Sequence, residues 1–315
     1  MSSRVVVVTG ASSGIGRAAA LAFAARGDRL VLAARSRDDL EKVAAACGTD
    51  PIVVPADVTR REDLEQVRER AIKKYGRIDV WADSAAVMAY GKFEELPPEV
   101  FDRMVTTDLL GPANVARTAL AQFREQGHGT LILTGSLLGH VAVPYMSAYV
   151  TSKWGARGLT RVLRQETRDN KRIHVCSVDP GSVDTPIYTS AANYAGFVGR
   201  PPPPVDSAER VAARIVRQAD RPRPEASVGA TNRLIEFGFN AFPSLYDALV
   251  TPLMRRGGLS RQAIAHHDGN VFAARPREEG GPGRWSRAQV GLAVAGVALA
   301  TGAAVKRLHS RGVPG

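Results

Sequence analysis

Apolar residues enter this chain in short unbroken runs, and each run is followed by a longer stretch with helical spacing. Val5-Val6-Val7-Val8 is the first such run, and the alanine-rich residues 17–23 follow it as a helix. A run of β-branched residues reads as a strand covered on both faces of a parallel sheet. The same pattern predicts strands over 29–33, 52–54, 78–82, 131–134 and 174–178. It predicts a helix beginning near residue 61 and helices over 98–123, 147–167 and 210–219. The alternation persists to about residue 229. It predicts an α/β fold, a Rossmann-like doubly wound parallel sheet with a C-terminal extension.

The turn after the first strand carries the chemistry. It reads Thr9-Gly10-Ala11-Ser12-Ser13-Gly14-Ile15-Gly16. A strand, a glycine turn and a helix N-terminus together form a phosphate cradle, because free N–H groups and the positive helix end face the ligand. Gly10 permits the tight turn. Gly14 and Gly16 let the backbone approach a pyrophosphate and let the helix pack on the strand. Far downstream stands Tyr149-Val150-Thr151-Ser152-Lys153, with Ser136 thirteen residues before the tyrosine. Helical spacing puts Tyr149 and Lys153 on one face. An ammonium beside a phenol favours the phenolate and is expected to bring its pKa from ~10 toward the working range.

The glycine spacing G-x-x-x-G-x-G, with Thr9 before it, resembles the short-chain dehydrogenase/reductase family in its single-domain branch, over roughly residues 4–230. The resemblance implies hydride transfer between a nicotinamide cofactor and a carbonyl or alcohol. It gives Ser136, Tyr149 and Lys153 the catalytic roles: Ser136 holds the substrate oxygen, Tyr149 donates the proton, and Lys153 also holds the nicotinamide ribose. It places Gly10, Ser12, Ser13, Gly14, Ile15 and Gly16 on the cofactor, with Asp57 and Val58 at the adenine end and Pro180, Gly181 and Thr185 at the nicotinamide. Asp57 reads equally as a cap for the following helix.

The second strand ends in Ala34-Arg35-Ser36-Arg37, with no acid before Asp38. A guanidinium pairs with a ribose 2′-phosphate, which a carboxylate would repel, so NADP(H) is favoured over NAD(H). Two departures stand out. Asp83-Ser84-Ala85-Ala86 replaces the family's N-N-A-G, and Asp108 replaces an asparagine whose carbonyl supports the lysine through water. Asp108 can still offer that carbonyl, and an ionised Asp108 near Lys153 would retune the proton relay.

Residues 1–230 thus form the catalytic domain, including a substrate lid over 186–204 in which Tyr188, Tyr194 and Phe197 suggest an apolar substrate. Residues 231–272 read as a C-terminal helical extension, and 273–287, rich in Gly, Pro, Arg and Glu, as a linker. Leu234, Leu245, Leu249 and Leu253 are suited to closing the cleft or to a partner surface. Residues 288–305 then carry no charge and have basic flanks. At ~1.5 Å per residue they span about 27 Å, just short of a ~30 Å hydrocarbon core. This segment reads as a membrane anchor or as a helix docked on protein.

Composition adds boundaries. Two cysteines in separate elements, Cys47 and Cys176, point to a reducing compartment without disulfides. No Cys/His spacing resembles a zinc site, so no metal is expected, and His266-His267 reads as a polar loop. The chain reaches its first strand by Val5, so no signal peptide is expected and the localisation reads as cytoplasmic, with a membrane association open through 288–305. The net charge is +11, and residues 201–315 hold 16 Lys and Arg against 9 Asp and Glu. Basic flanks suit an anionic membrane face. No nucleic-acid reader motif accompanies the charge, so no nucleic-acid partner is expected. The expected partners are a small carbonyl or alcohol substrate and further copies of the chain, as a homodimer or homotetramer. The alternative reading is a cofactor-binding scaffold or regulatory protein with weak or no turnover, motivated by Asp83 and Asp108.

Overall fold

The computed structural model describes residues 3–274. Its central sheet has seven parallel strands: β1 (Val5–Thr9), β2 (Arg29–Ala34), β3 (Ile52–Pro55), β4 (Val80–Asp83), β5 (Gly129–Thr134), β6 (Ile173–Pro180) and β7 (Glu225–Val228). The helices are α1 (Gly14–Ala24), α2 (Arg37–Cys47), α3 (Arg61–Tyr75), α4 (Pro98–Val105), α5 (Gly111–Gln126), α6 (Ser147–Glu166), α7 (Ala208–Asp220), α8 (Asn232–Ala241) and α9 (Pro243–Leu253). The strand order is β7-β6-β5-β4-β1-β2-β3. It reverses between β1 and β4, and a doubly wound sheet opens its ligand crevice at such a point, beyond the strands' carboxyl ends.

The apolar runs are explained by cover on both faces. Val6 and Val8 pack with Phe23 of α1, Leu40 of α2 and Val211 and Ile215 of α7. Val7, pointing the other way, packs with Leu64 and Val67 of α3 and Val115 and Phe123 of α5. A third apolar cluster unites Met88, Tyr90, Met104, Met146, Tyr149, Met254, Leu259 and Val271.

Two expectations change. The helix expected over 98–123 is α4 and α5 joined by a π-helical turn, Thr106–Leu110, in which the Gly111 N–H bonds to the Thr106 carbonyl. That turn holds Asp108 fully buried. π-Turns inside helices frequently mark functional sites. The extension beyond residue 230 is not all helix. After α9 and a π-helical turn at Met254–Gly258, the strand Leu259–Ala263 pairs antiparallel with Phe197–Gly199 in the lid. Leu234, Leu245 and Leu253 stay exposed, so these side chains do not close the cleft. Among the described residues no helix is long and apolar enough to cross a membrane. The apolar segment 288–305, and the linker from residue 275 onward, lie outside the described residues.

Candidate active site

The glycine turn links β1 to α1, and its glycines are required by close approach. A Cβ on Gly10, whose φ is +72°, would lie 2.6 Å from backbone atoms of Ser84 and Ala85. A Cβ on Gly16 would be driven into the Gly10 carbonyl. Ser13 caps α1 without a side-chain hydrogen bond, and the first turn has no acid. The helix N-terminus therefore keeps its dipole for an anion, and this cradle fits a dinucleotide phosphate. Thr185 closes its other side, with Cγ2 3.2 Å from where a Gly14 Cβ would stand. Ile15 packs on the core. Gly181 follows β6, where Asn232 fixes the segment through the carbonyls of Asp179 and Val228.

Ser136 follows β5, and Tyr149 and Lys153 come from the first two turns of α6. All three are buried. Ser136 Oγ accepts from the Leu138 N–H at 3.0 Å. The Lys153 ammonium lies 5.5 Å from the Tyr149 ring centroid and donates to the Thr134 carbonyl at 3.2 Å. Burial pushes the Tyr149 phenol above its ordinary value, Asp108 adds to this, and a hydrogen bond with Ser136 offsets it in part. The expected lowering by Lys153 is therefore corrected: desolvation wins, and the buried phenol is held as a proton donor.

The Lys153 charge acts on both Asp83 and Asp108. Asp83 Oδ1 accepts from Thr9 Oγ1 at 2.7 Å and from the Ala85 N–H at 3.2 Å. Asp108 Oδ1 accepts from the Val87 N–H at 2.9 Å, while its buried Oδ2 has no partner. Burial raises both acids, with the Lys153 charge opposing, and Asp108 reaches about 7. Asp108→Asn should therefore remove a limb near neutrality from the pH profile of kcat/KM. The sign for stability is also fixed. The folded-state value lies above the ordinary 3.8. The contribution is fully present below about pH 4 and is lost as pH rises through about 7. Denaturant titrations from acid to neutral pH should show a flatter dependence in Asp108→Asn than in the native chain.

At the place expected to face adenine, Asp57 accepts from the Thr59 N–H and hydroxyl and pairs with Arg103 at 2.7 Å. Burial raises it, but these three partners outweigh burial and hold it below its ordinary value. Asp57 thus makes an Asx turn before α3, and Arg103, 46 residues away, was not marked by any local motif. Val58 is buried against Gly111. Arg35 does not stand free at the second strand's end. It donates to the Asn270 carbonyl at 2.7 Å and the Val271 carbonyl at 3.3 Å. The segment after Ala263 crosses the lid, pairing Asn193 with His267 and bonding the Asn270 N–H to Ser190. Of the lid aromatics, Tyr188 is next to Tyr149 and hydrogen-bonds Ser182. Tyr194 packs against the third apolar cluster and bonds through its hydroxyl to Asp268, while Phe197 is 44% exposed. Tyr90, fully buried beside Tyr149 and Tyr188, joins them without any signal in the sequence.

The fold and this cluster define a doubly wound α/β oxidoreductase with a glycine cradle at its switch point. A family model described as short chain dehydrogenase matches residues 4–194, and the chain belongs to the short-chain dehydrogenase family. It is 33% identical over 264 residues to the Bacillus subtilis oxidoreductase YxnA, covering 81% of this chain and 73% of that one. An alcohol dehydrogenase from Thermococcus sibiricus, complexed with 5-hydroxy-NADP, superposes with a TM-score of 0.63 at 29% identity, covering 72% of this chain and 96% of that one. A short-chain dehydrogenase from Streptomyces avermitilis gives 0.66 at 28% identity, over 79% and 96%.

Proposed function

We propose that the chain is an NADP(H)-dependent carbonyl reductase or alcohol dehydrogenase in which Ser136, Tyr149 and Lys153 carry the proton chemistry. One observation carries the reading: the buried Tyr149 phenol hydrogen-bonds Ser136 beside the Lys153 ammonium, at the mouth of an apolar cluster. Ser136 orients the carbonyl oxygen, Tyr149 gives it a proton, and Lys153 supplies positive charge as the phenol loses that proton. The bound nicotinamide would supply the hydride. Met88, Tyr90, Met146 and Tyr188 favour an apolar substrate. The nucleotide in the Thermococcus sibiricus relative supports a nicotinamide cofactor here. Assembly as a homodimer or homotetramer through α5 and α6 belongs to the same reading, since Leu110, Trp154 and Val162 are exposed there.

NADPH oxidation against a panel of apolar ketones tests the proposal. Turnover of at least one ketone is expected. Tight NADPH binding with no turnover across the panel would favour a cofactor-binding scaffold, the reading suggested by Asp83 and Asp108.

Cofactor choice has its own test. A 2′-phosphate would replace the Asn270 and Val271 carbonyls on Arg35. A hydrogen bond to a charged group contributes about 1.5–3 kcal/mol, which is about 10–100-fold in Kd. Arg35→Asp should weaken NADPH by that factor and leave NADH little changed. Fluorescence titration of both cofactors decides it, and a native preference for NADH would overturn the assignment.

A further inference from the structure

A second cluster lies outside the catalytic set. His140 follows the 3-10 turn Leu137–Gly139 after β5, Asp179 sits near the end of β6, Glu225 opens β7, and Glu236 lies on α8. Four elements thus bring one imidazole and three carboxylates together. His140 Nε2 lies 3.2 Å from Glu225 Oε1 and 3.9 Å from Asp179 Oδ2. One ligand atom from each of the three residues falls within 4.8 Å of the others. The His140 side chain is only 8% exposed, yet its Nε2 has no hydrogen-bond partner. The other ring nitrogen, Nδ1, faces Glu236 Oε2 at 3.7 Å.

We propose that His140, Asp179 and Glu225 form a binding site for a divalent transition-metal ion of the zinc class. In a tetrahedral site with bonds of ~2.0–2.2 Å, neighbouring ligand atoms stand about 3.3–3.5 Å apart. The observed 3.2 and 3.9 Å bracket that spacing. One imidazole with two carboxylates suits zinc or manganese, whereas magnesium and calcium favour all-oxygen shells. The surroundings match what a metal-ligating histidine needs. Glu236 faces the ring nitrogen that does not ligate, a carboxylate–histidine–metal arrangement that fixes the tautomer. Ser177 donates to Asp179 Oδ2 at 2.9 Å and so orients that carboxylate. The Glu225 side chain is 36% exposed and provides an entry path. Arg157 Nε reaches the same Glu225 Oε1 at 3.3 Å, so an entering ion displaces it from that oxygen.

The competing arrangement is an ion-pair cluster with no metal. Burial pulls His140 down, but Asp179 and Glu225 outweigh it and hold the imidazolium to about 9. Three carboxylates then face three cations, His140, Arg157 and Arg164. An entering ion must displace the imidazole proton, because a ligating histidine is neutral. The site also adjoins Pro180 and Gly181, so an ion on Asp179 would stiffen the segment assigned to the nicotinamide.

The test uses the full chain, stripped with a chelator and titrated with zinc by calorimetry, with magnesium as control. One zinc per chain is expected, with no response to magnesium and a rise in Tm on zinc addition. His140→Gln should weaken zinc binding more than about 100-fold, and Glu236→Gln by about 10-fold, within the range for outer-shell partners. Glu225→Gln, at a half-exposed position, tests the same site if His140→Gln lowers folding yield. Cobalt substitution should give a visible absorption band that His140→Gln abolishes. No zinc bound at micromolar concentration, or zinc bound equally by the native chain and the variants, would overturn the proposal and leave the ion-pair cluster.

Discussion

Tyr149→Phe should lower kcat by at least ~10²-fold, the scale of a lost general acid, while NADPH affinity barely changes. The hydroxyl is the only atom removed, and it is the one that hydrogen-bonds Ser136. Burial and Asp108 hold the phenol protonated, so in the reducing direction Tyr149 is already in the form that gives a proton. Its ring stays in the apolar cluster with Met88, Tyr90 and Met146, so the substitution should fold normally. Tyr188 is the natural control, since it also stands beside Tyr149 but bonds to Ser182. Tyr188→Phe should keep most of the turnover. Steady-state kinetics on any ketone that the native chain reduces reads both variants. Near-normal kcat in Tyr149→Phe would sink the mechanism, and loss confined to Tyr188→Phe would move the proton donor to the lid.

The elements legible in the sequence are those whose signal is local. Val5 to Val8 could be read because a strand covered on both faces needs no polar alternation. The glycine turn could be read from its spacing between a strand and a helix; Gly16 meets its steric demand locally at Gly10, whereas Gly10 answers to Ser84 and Ala85 and Gly14 to Thr185. Tyr149 and Lys153 share a helix face by spacing alone. What stayed hidden depends on residues far apart. The π-turn that turns Asp108 inward leaves no mark in the helical pattern of 98–123. Arg103 finds Asp57 across 46 residues, and Arg35 finds Asn270 and Val271 across more than 230. The direction of the Tyr149 shift escapes a sequence reading for the same reason. The effect of Lys153 follows from spacing, but the desolvation that exceeds it comes from the third apolar cluster, assembled from α4, α6, the lid and the segment near Val271. His140 illustrates the limit most sharply: its carboxylate neighbours lie 39, 85 and 96 positions away, so no ligand spacing was visible.

Gly16→Ala should cost the chain its cofactor and some of its stability together. The added methyl meets the Gly10 carbonyl oxygen and carbon, which are backbone atoms and cannot rotate away as a flexible side chain would. Either α1 lifts from β1 or the turn opens. Both moves spoil the cradle that the uncapped helix end offers to phosphate. Overpacking of this kind costs about 1–3 kcal/mol, and each kcal/mol lowers Tm by about 2–4 °C in a chain of this size. Cofactor binding should fall by about 10-fold or more, since a displacement of the turn breaks several N–H contacts to the pyrophosphate at once. Gly238→Ala separates this from a general intolerance of alanine. Gly238 lies in α8, away from the cradle, with nothing within 4 Å of its added Cβ. There the substitution should raise stability by up to about 1 kcal/mol through helix propensity and leave cofactor binding unchanged. Thermal melts and NADPH titrations on the two variants read this directly. Full NADPH affinity in Gly16→Ala would mean that the pyrophosphate does not rest on this turn, and the cofactor site would have to be sought elsewhere on the crevice.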